Sequence, residues 1–262
     1  MKKLFVSFFA ITLLFSCNKS TKSNGDKALD EKFDKYKDGF VTDLWKINPG
    51  WASGVGYHKL DSLLVVPDAA EEKRQIDFAN AQLDSLKQFK LEDLSDNNKT
   101  DFQMIKNQLE STIFNIKEVK SSEWNPSEYN VCGAFAEILN GKYDSLDVRL
   151  HAFNIKMNNI PAYYEAAKKN IKNPTIEHTD LAIAQNLGGS TVFTADLNEA
   201  LQKSKLSAAE KKEIQEKAKI SVKAITDYAN WLKNFPNKTP RSFRLGSALY
   251  AKKFNFDIQS SY

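Results

Sequence analysis

Seven side chains between Ile214 and Phe235 recur at alternating spacings of four and three: Ile214, Ala218, Ser221, Ile225, Tyr228, Leu232 and Phe235. That spacing puts them on one face of an α-helix. Ser207 and Glu210, three apart, form a capping-box signature at the start, and Pro236 closes the run. A helix this long cannot stand alone in water. Its apolar face needs other helices to cover it. The same period recurs along the chain. Leu29, Phe33, Tyr36, Phe40, Leu44 and Ile47 mark a helix over Lys27 to Ile47, ended by Asn48-Pro49-Gly50. Pro67-Asp68 opens a second, with Ile76, Ala79, Leu83 and Leu86 on one face, and Leu94-Ser95-Asp96 caps a third through Phe102, Ile105, Leu109, Ile113 and Ile116.

Further helices are predicted in the middle of the chain. After a loop at Trp124-Asn125-Pro126-Ser127, a shorter helix runs through Phe135 and Leu139 to a turn at Asn140-Gly141. Leu146, Leu150, Phe153, Met157 and Ile160 step by four and three up to Pro161, which either kinks the helix or starts a new one. Thr179 to Leu201 reads as two helical pieces broken near Gly188-Gly189-Ser190. Trp51 to Leu64, with Gly54, Gly56 and His58, reads as irregular or turn-rich. No run alternates with period two, so the predicted fold class is all-α, a bundle-like array of nine or ten helices. No 34- or 40-residue repeat marks a solenoid. The last predicted helix, Arg241 to Phe254, carries Phe243, Leu245, Leu249, Tyr250 and Phe254. Its apolar face is expected to be exposed as a contiguous patch, because little sequence follows to cover it.

The amino terminus has a different character. Met1-Lys2-Lys3 is basic, Leu4 to Phe15 is apolar, and the segment ends in Leu14-Phe15-Ser16-Cys17. Such a run is too short for a stable membrane span and suits a cleaved leader. Its end is similar to the lipobox of bacterial lipoproteins, which makes Cys17 the expected lipidation site. An ordinary signal peptide with a chance cysteine is the alternative. The expected organisation is a signal peptide over 1–16, a polar tether over 17–26 and a helical domain over 27–262. Several acyl chains on Cys17 would anchor the protein stably, whereas one would not. Asn18 after the cysteine, and no acidic cluster in the tether, favour the outer membrane facing the periplasm. With Cys17 lipidated, Cys132 has no intrachain partner and is expected to be a buried, inert thiol.

The net charge is +4, and +2 without the leader's Lys2 and Lys3. That is too small to argue for nucleic acid. The chain has only three histidines, His58, His151 and His178, none paired at the spacing of a helical zinc motif. There is no Gly-x-Ser-x-Gly elbow and no phosphate loop. Gly54-Val55-Gly56 lacks the strand and third glycine of a dinucleotide fingerprint. Gly188-Gly189-Ser190 reads as a helix break before an anion cradle. Arg241 and Arg244 are expected to be solvated, and Trp45, Trp51, Trp124 and Trp231 to be packing residues. No catalytic, cofactor-binding or metal-ligating residue is assigned.

Several stretches nevertheless carry a resemblance. They are Trp51-Ala-Ser-Gly-Val-Gly-Tyr-His58-Lys-Leu-Asp61, Leu94-Ser95 to Asp101, Arg149-Leu150 to Ile160-Pro161, Ala166 to Pro174, Glu177-His178-Thr179, and Phe243-Arg-Leu-Gly246 through Tyr250. Their order resembles the amino-terminal part of the DUF885 proteins, zincin-like bacterial proteins about twice as long. The resemblance implies a helical, metallopeptidase-like architecture whose metal motif, a His-Glu pair followed by Pro-Gly-His-His, lies in the second half. Nothing of that kind occurs here, so no ligand or general base is carried over, and His58 and His178 match positions outside that motif. The resemblance therefore implies an amino-terminal half, inactive alone and without a cofactor of its own. Zinc would be expected only in a full-length member. The expected partners are the bilayer through Cys17, a complementary carboxy-terminal half, and a peptide substrate only once that half is present. The alternative is a non-catalytic, lipid-anchored helical binding protein.

Overall fold

A computed structural model describes residues 26–259. The expected signal peptide and the expected lipidation site Cys17 lie outside these residues. Among the described residues there is no strand, so the chain is all-α, with twelve α-helices joined by short 3-10 and π turns. None of these helices is long and apolar enough to cross a membrane.

The first three long helices build one apolar cluster. α1 spans Lys27–Ile47, and Asp26 caps it by accepting from the amides of Ala28 and Leu29. α1 ends at Asn48 as expected, but the chain does not turn irregular straight after it. Pro49 instead begins a short helix, α2 (Pro49–Gly54), followed by a 3-10 turn at His58–Leu60. Proline is suited to that first position because its missing N–H would have no partner there anyway. α3 (Ala69–Leu86) is capped by Asp68, and α4 spans Asp96–Phe114. Ser95 does not cap α4 with its side chain. Its own amide donates to Asp30 on α1 at 2.9 Å, and Asn98 Nδ2 donates to the same carboxylate oxygen at 2.9 Å. Phe33, Phe40, Leu44, Ala79, Leu86, Phe89, Leu94, Ile105 and Leu109 are the buried centre of this cluster.

α4 ends in a π turn, Asn115–Val119, after which Lys120 adopts the left-handed conformation. The π turn lets the chain leave the first cluster and enter α5 (Ser121–Trp124). Beyond it a second, larger cluster is built by α6 (Cys132–Asn140), α7 (Leu146–Lys156), α8 (Ile160–Asn170), α9 (Ile176–Gly189), α10 (Ala195–Lys203) and α11 (Ala208–Lys233). Pro161 starts α8, after a 3-10 turn at Met157–Asn159, which resolves the choice between kink and start. The capping box of Ser207 and Glu210 is formed in both directions, and Ile214, Ala218, Ser221, Ile225, Tyr228 and Leu232 are buried as the spacing predicts.

A buried hydrogen-bond set pins these helices together. Asn186 donates to the carbonyls of Tyr129 at 3.0 Å and Ala182 at 2.9 Å, and accepts from the Tyr164 hydroxyl at 2.5 Å. Its side chain is thereby satisfied despite complete burial. The two helical pieces and the interruption expected near Gly188-Gly189-Ser190 are found, with both glycines still inside α9. The helix runs through both residues, and the interruption comes at the 3-10 turn Ser190–Phe193. Cys132 is buried, as expected, and burial pushes its thiol up to about 11.

The final helix differs from its expected bounds. α12 spans Ser247–Ile258, and residues 241–246 are not helical. Gly246 has φ +81°, a conformation that favours glycine, and it stands as the N-cap. None of the α12 residues is buried. Leu245, Leu249 and Phe256 lean on a small seam of Phe114, Val119 and Trp124, while Phe243 and Tyr250 are exposed at 49% and 59%. Asn107 Nδ2 donates to the Phe256 carbonyl at 3.0 Å, and Lys252 pairs with Glu118 at 2.8 Å. Arg241 is not solvated as expected. Its guanidinium lies 4.3 Å from the Trp124 ring centroid, a cation–π contact.

Candidate functional site

Three short segments far apart in sequence meet at a cavity of about 430 Å³. The first is α2 and the 3-10 turn after it, bringing Ser53, His58 and Asp61. The second is the end of α6 with the turn beyond it, bringing Glu137, Gly141 and Tyr143. The third is the last residue of α7, Lys156. Two local devices bring them together. Arg149 donates from Nη1 to the carbonyls of Ile138 and Leu139 at 2.7 and 2.6 Å, which caps the end of α6 and ties it to α7. Gly141 leaves room for Tyr143 to fold back. A β-carbon at position 141 would stand 2.4 Å from Tyr143 Cε1 and 3.0 Å from the Glu137 carbonyl oxygen.

Asp61 is the hub. It is buried, and both its oxygens are engaged. The Ser53 hydroxyl donates to Oδ1, the Tyr143 hydroxyl donates to Oδ2, and His58 Nδ1 lies 3.1 Å from the same Oδ2. The His58 and Tyr143 rings stack face to face, with centroids 3.3 Å apart and planes 5° apart. Ser, His and Asp thus come together, but not in the order of a nucleophilic triad. The serine hydroxyl donates to the carboxylate and not to the imidazole, so the histidine is not placed to take its proton. Burial and the bond to Asp61 push the Tyr143 hydroxyl well above the usual tyrosine range. The phenol stays protonated and acts as a donor.

Lys156 is the exceptional member. It is 3% exposed, yet among the described residues its ammonium has no ion pair or hydrogen bond. It faces the Phe135 ring at 5.9 Å. Burial pulls its pKa below the usual lysine value, against the opposing fields of Asp61 and Glu137. Glu137 is exposed on the cavity wall.

The other histidines lie elsewhere. His151 Nε2 is 3.9 Å from Glu210, exposed, on α7. His178 Nδ1 is 2.7 Å from Thr175 Oγ1, in the first turn of α9, with its ring edge-on to Trp124. Among the described residues no group of three or more His, Cys, Asp or Glu side chains could hold a metal ion. A zinc ion of the kind the resemblance implies does not fit the residues described. Sequence reasoning did not find the cavity. Its only local signals are the Trp51–Asp61 segment, which carries the family likeness, and the Asn140-Gly141 turn.

The family model described as "Bacterial protein of unknown function (DUF885)" matches residues 49–262. The chain belongs to the DUF885 family. The match includes every residue of the cavity. A solved structure titled as that of "a putative lipoprotein of unknown function" from Shewanella oneidensis superposes with a TM-score of 0.84 at 42% identity. The alignment covers 88% of this DUF885 chain and 43% of that one, so the chain spans less than half the length of its structural relative. No curated protein matches the sequence.

Proposed function

We propose that this DUF885 chain is a lipid-anchored envelope protein that supplies the helical wall of a zinc-peptidase-like assembly, with the metal and its general base carried by sequence outside these 262 residues. The supporting observation is the partial match to the Shewanella oneidensis protein, high in identity yet confined to 43% of its length. That protein's title supports anchorage, as does the Leu14-Phe15-Ser16-Cys17 sequence here. Acylated Cys17 would hold the domain at the outer membrane, facing the periplasm. The half-exposed apolar side of α12 offers a surface on which a complementary half would dock. In the complete assembly a zinc-activated water would attack a peptide amide, and this chain would contribute walls to the cleft.

The test is to express the full chain, then measure zinc content and peptide turnover, alone and mixed with the part of the Shewanella oneidensis protein that it does not match. Inactivity alone, with zinc and turnover appearing on mixing, is expected. Turnover or stoichiometric zinc in the chain alone would overturn the reading. A second reading, a non-catalytic binding lipoprotein, is favoured by the unpaired Lys156 in its cavity. It predicts ligand binding with no turnover in either sample.

A further inference from the structure

We propose that the cavity between α2, α6 and α7 binds a small organic monocarboxylate that also carries a hydrogen-bond donor, with the carboxylate on Lys156 and the donor on Glu137. Lys156 carries the argument. It is 3% exposed and lines the cavity, so the ammonium's open N–H donors face that space and no protein acceptor among the described residues. Asp61 is not such an acceptor. No hydrogen bond or ion pair joins the two, and Asp61 acts on Lys156 through space alone, its oxygens being engaged by Ser53, Tyr143 and His58. The ammonium is left with unused N–H donors at the cavity. A ligand oxygen would complete it.

The surrounding charge selects the ligand. One cation stands near two carboxylates, Asp61 and Glu137. A dianion such as phosphate would gain one attraction and meet two repulsions, whereas a monocarboxylate meets a milder balance. Glu137 has no side-chain partner among the described residues, and it accepts only. A ligand bearing an ammonium or hydroxyl satisfies both walls at once. A cavity of about 430 Å³ suits a small molecule. Gly50, Gly54 and Gly56 leave one side of it free of side chains, and Ala134 and Ile138 give an apolar floor for the ligand's carbon chain. This inference does not depend on where any peptidase chemistry resides.

The experiment is calorimetric titration of the full chain with three ω-amino acids (glycine, β-alanine and 4-aminobutyrate), their matched acids (acetate, propionate and butyrate), and inorganic phosphate. At least one amino acid is expected to bind about tenfold more tightly than its matched acid, the value of one charge-assisted hydrogen bond. Lys156→Met should abolish binding of every carboxylate. Glu137→Gln, at an exposed position where folding is not at risk, should bring the amino acid down to the level of its matched acid. The proposal is overturned if phosphate binds as tightly as the carboxylates, if no carboxylate binds, or if either variant binds like the wild type. If Lys156→Met fails to fold, Glu137→Gln alone decides. No turnover or metal enters this measurement, so its failure leaves the peptidase reading untouched.

Discussion

Gly189 lies so close to Cys132 that a β-carbon on the glycine would stand 2.6 Å from Cys132 Cβ and 2.9 Å from its sulfur. The contact lets α9 pack directly on α6, and the Cys132 thiol reaches the Asn186 carbonyl at 3.9 Å across the same seam. Gly189→Ala should therefore destabilise the protein by about 1–3 kcal/mol, the range for overpacking a filled core. The obstruction involves Cβ as well as sulfur, so Cys132→Ala should not restore stability in the double variant. Urea unfolding of the two single variants and the double variant checks this.

Gly141 plays a comparable part at the cavity. Its φ of −60° is open to any residue, so the need for glycine is steric. Gly141→Ala should drive the Tyr143 ring off His58 and free the Tyr143 hydroxyl from Asp61. The expected result is a fall in the alkaline transition of that tyrosine, read by its ultraviolet absorbance, with the helix content unchanged. An unchanged Tyr143 titration would count against the arrangement.

Lys156 costs stability in the absence of a ligand. Lys156→Met keeps the length of the side chain and removes the unpaired charge. It should raise the melting temperature, with a gain of about 1 kcal/mol or more. Calorimetry of the variant checks this, and a lowered melting temperature would show that the ammonium has a stabilising partner.

Burial also holds several acids protonated. Cys132 is raised from 9.0 to about 11, and Tyr36 and Tyr129 from 10.0 to about 12. Between the unfolded and folded values, the unfolded chain has lost these protons and the folded chain still holds them. Stability is then fully present below about pH 9 and falls as pH rises toward 12. The urea midpoint should decline across that window, and Cys132→Ala should delay the onset of the decline. A midpoint constant to pH 11 would contradict the burial of these groups.

Tyr36 offers a second check on burial, because its hydroxyl has no partner and its ring packs against Phe33, Phe40 and Phe89. Tyr36→Phe should be neutral or stabilising by up to about 1 kcal/mol in thermal unfolding, since it removes only an unsatisfied polar group.

Helices were legible where the determinants are local. The bounds of α1 and the buried face of α11 follow from spacing and caps within a single run of residues. The start of α12 was not. Phe243, Leu245 and Leu249 fit a helical stripe, but Gly246 at positive φ separates the first two from the helix proper. The end of α9 near Gly188-Gly189-Ser190 was legible, but the closeness of Gly189 to Cys132 was not, because sequence does not record what stands opposite a residue. The cavity was illegible for the same reason. His58, Glu137 and Lys156 belong to separate elements, and no local pattern predicts that a lysine on the apolar face of α7 will be left unpaired.

The two large apolar clusters share no buried residue, and the chain passes between them through the π turn at Asn115–Val119. They are tied together by the segment between α1 and α3, where Leu64 packs on the second cluster, Asn159 and Asn170 donate to the Leu64 and Pro67 carbonyls, and Asp61 accepts from Tyr143. The seam beneath α12, Phe114, Val119 and Trp124, sits at the joint. A lightly fastened helix over that joint works as a latch. Amides of α12 and the π turn should exchange with solvent through a partial opening, well before either cluster melts. Anything that docks on α12 would then stabilise the protein by holding that joint closed.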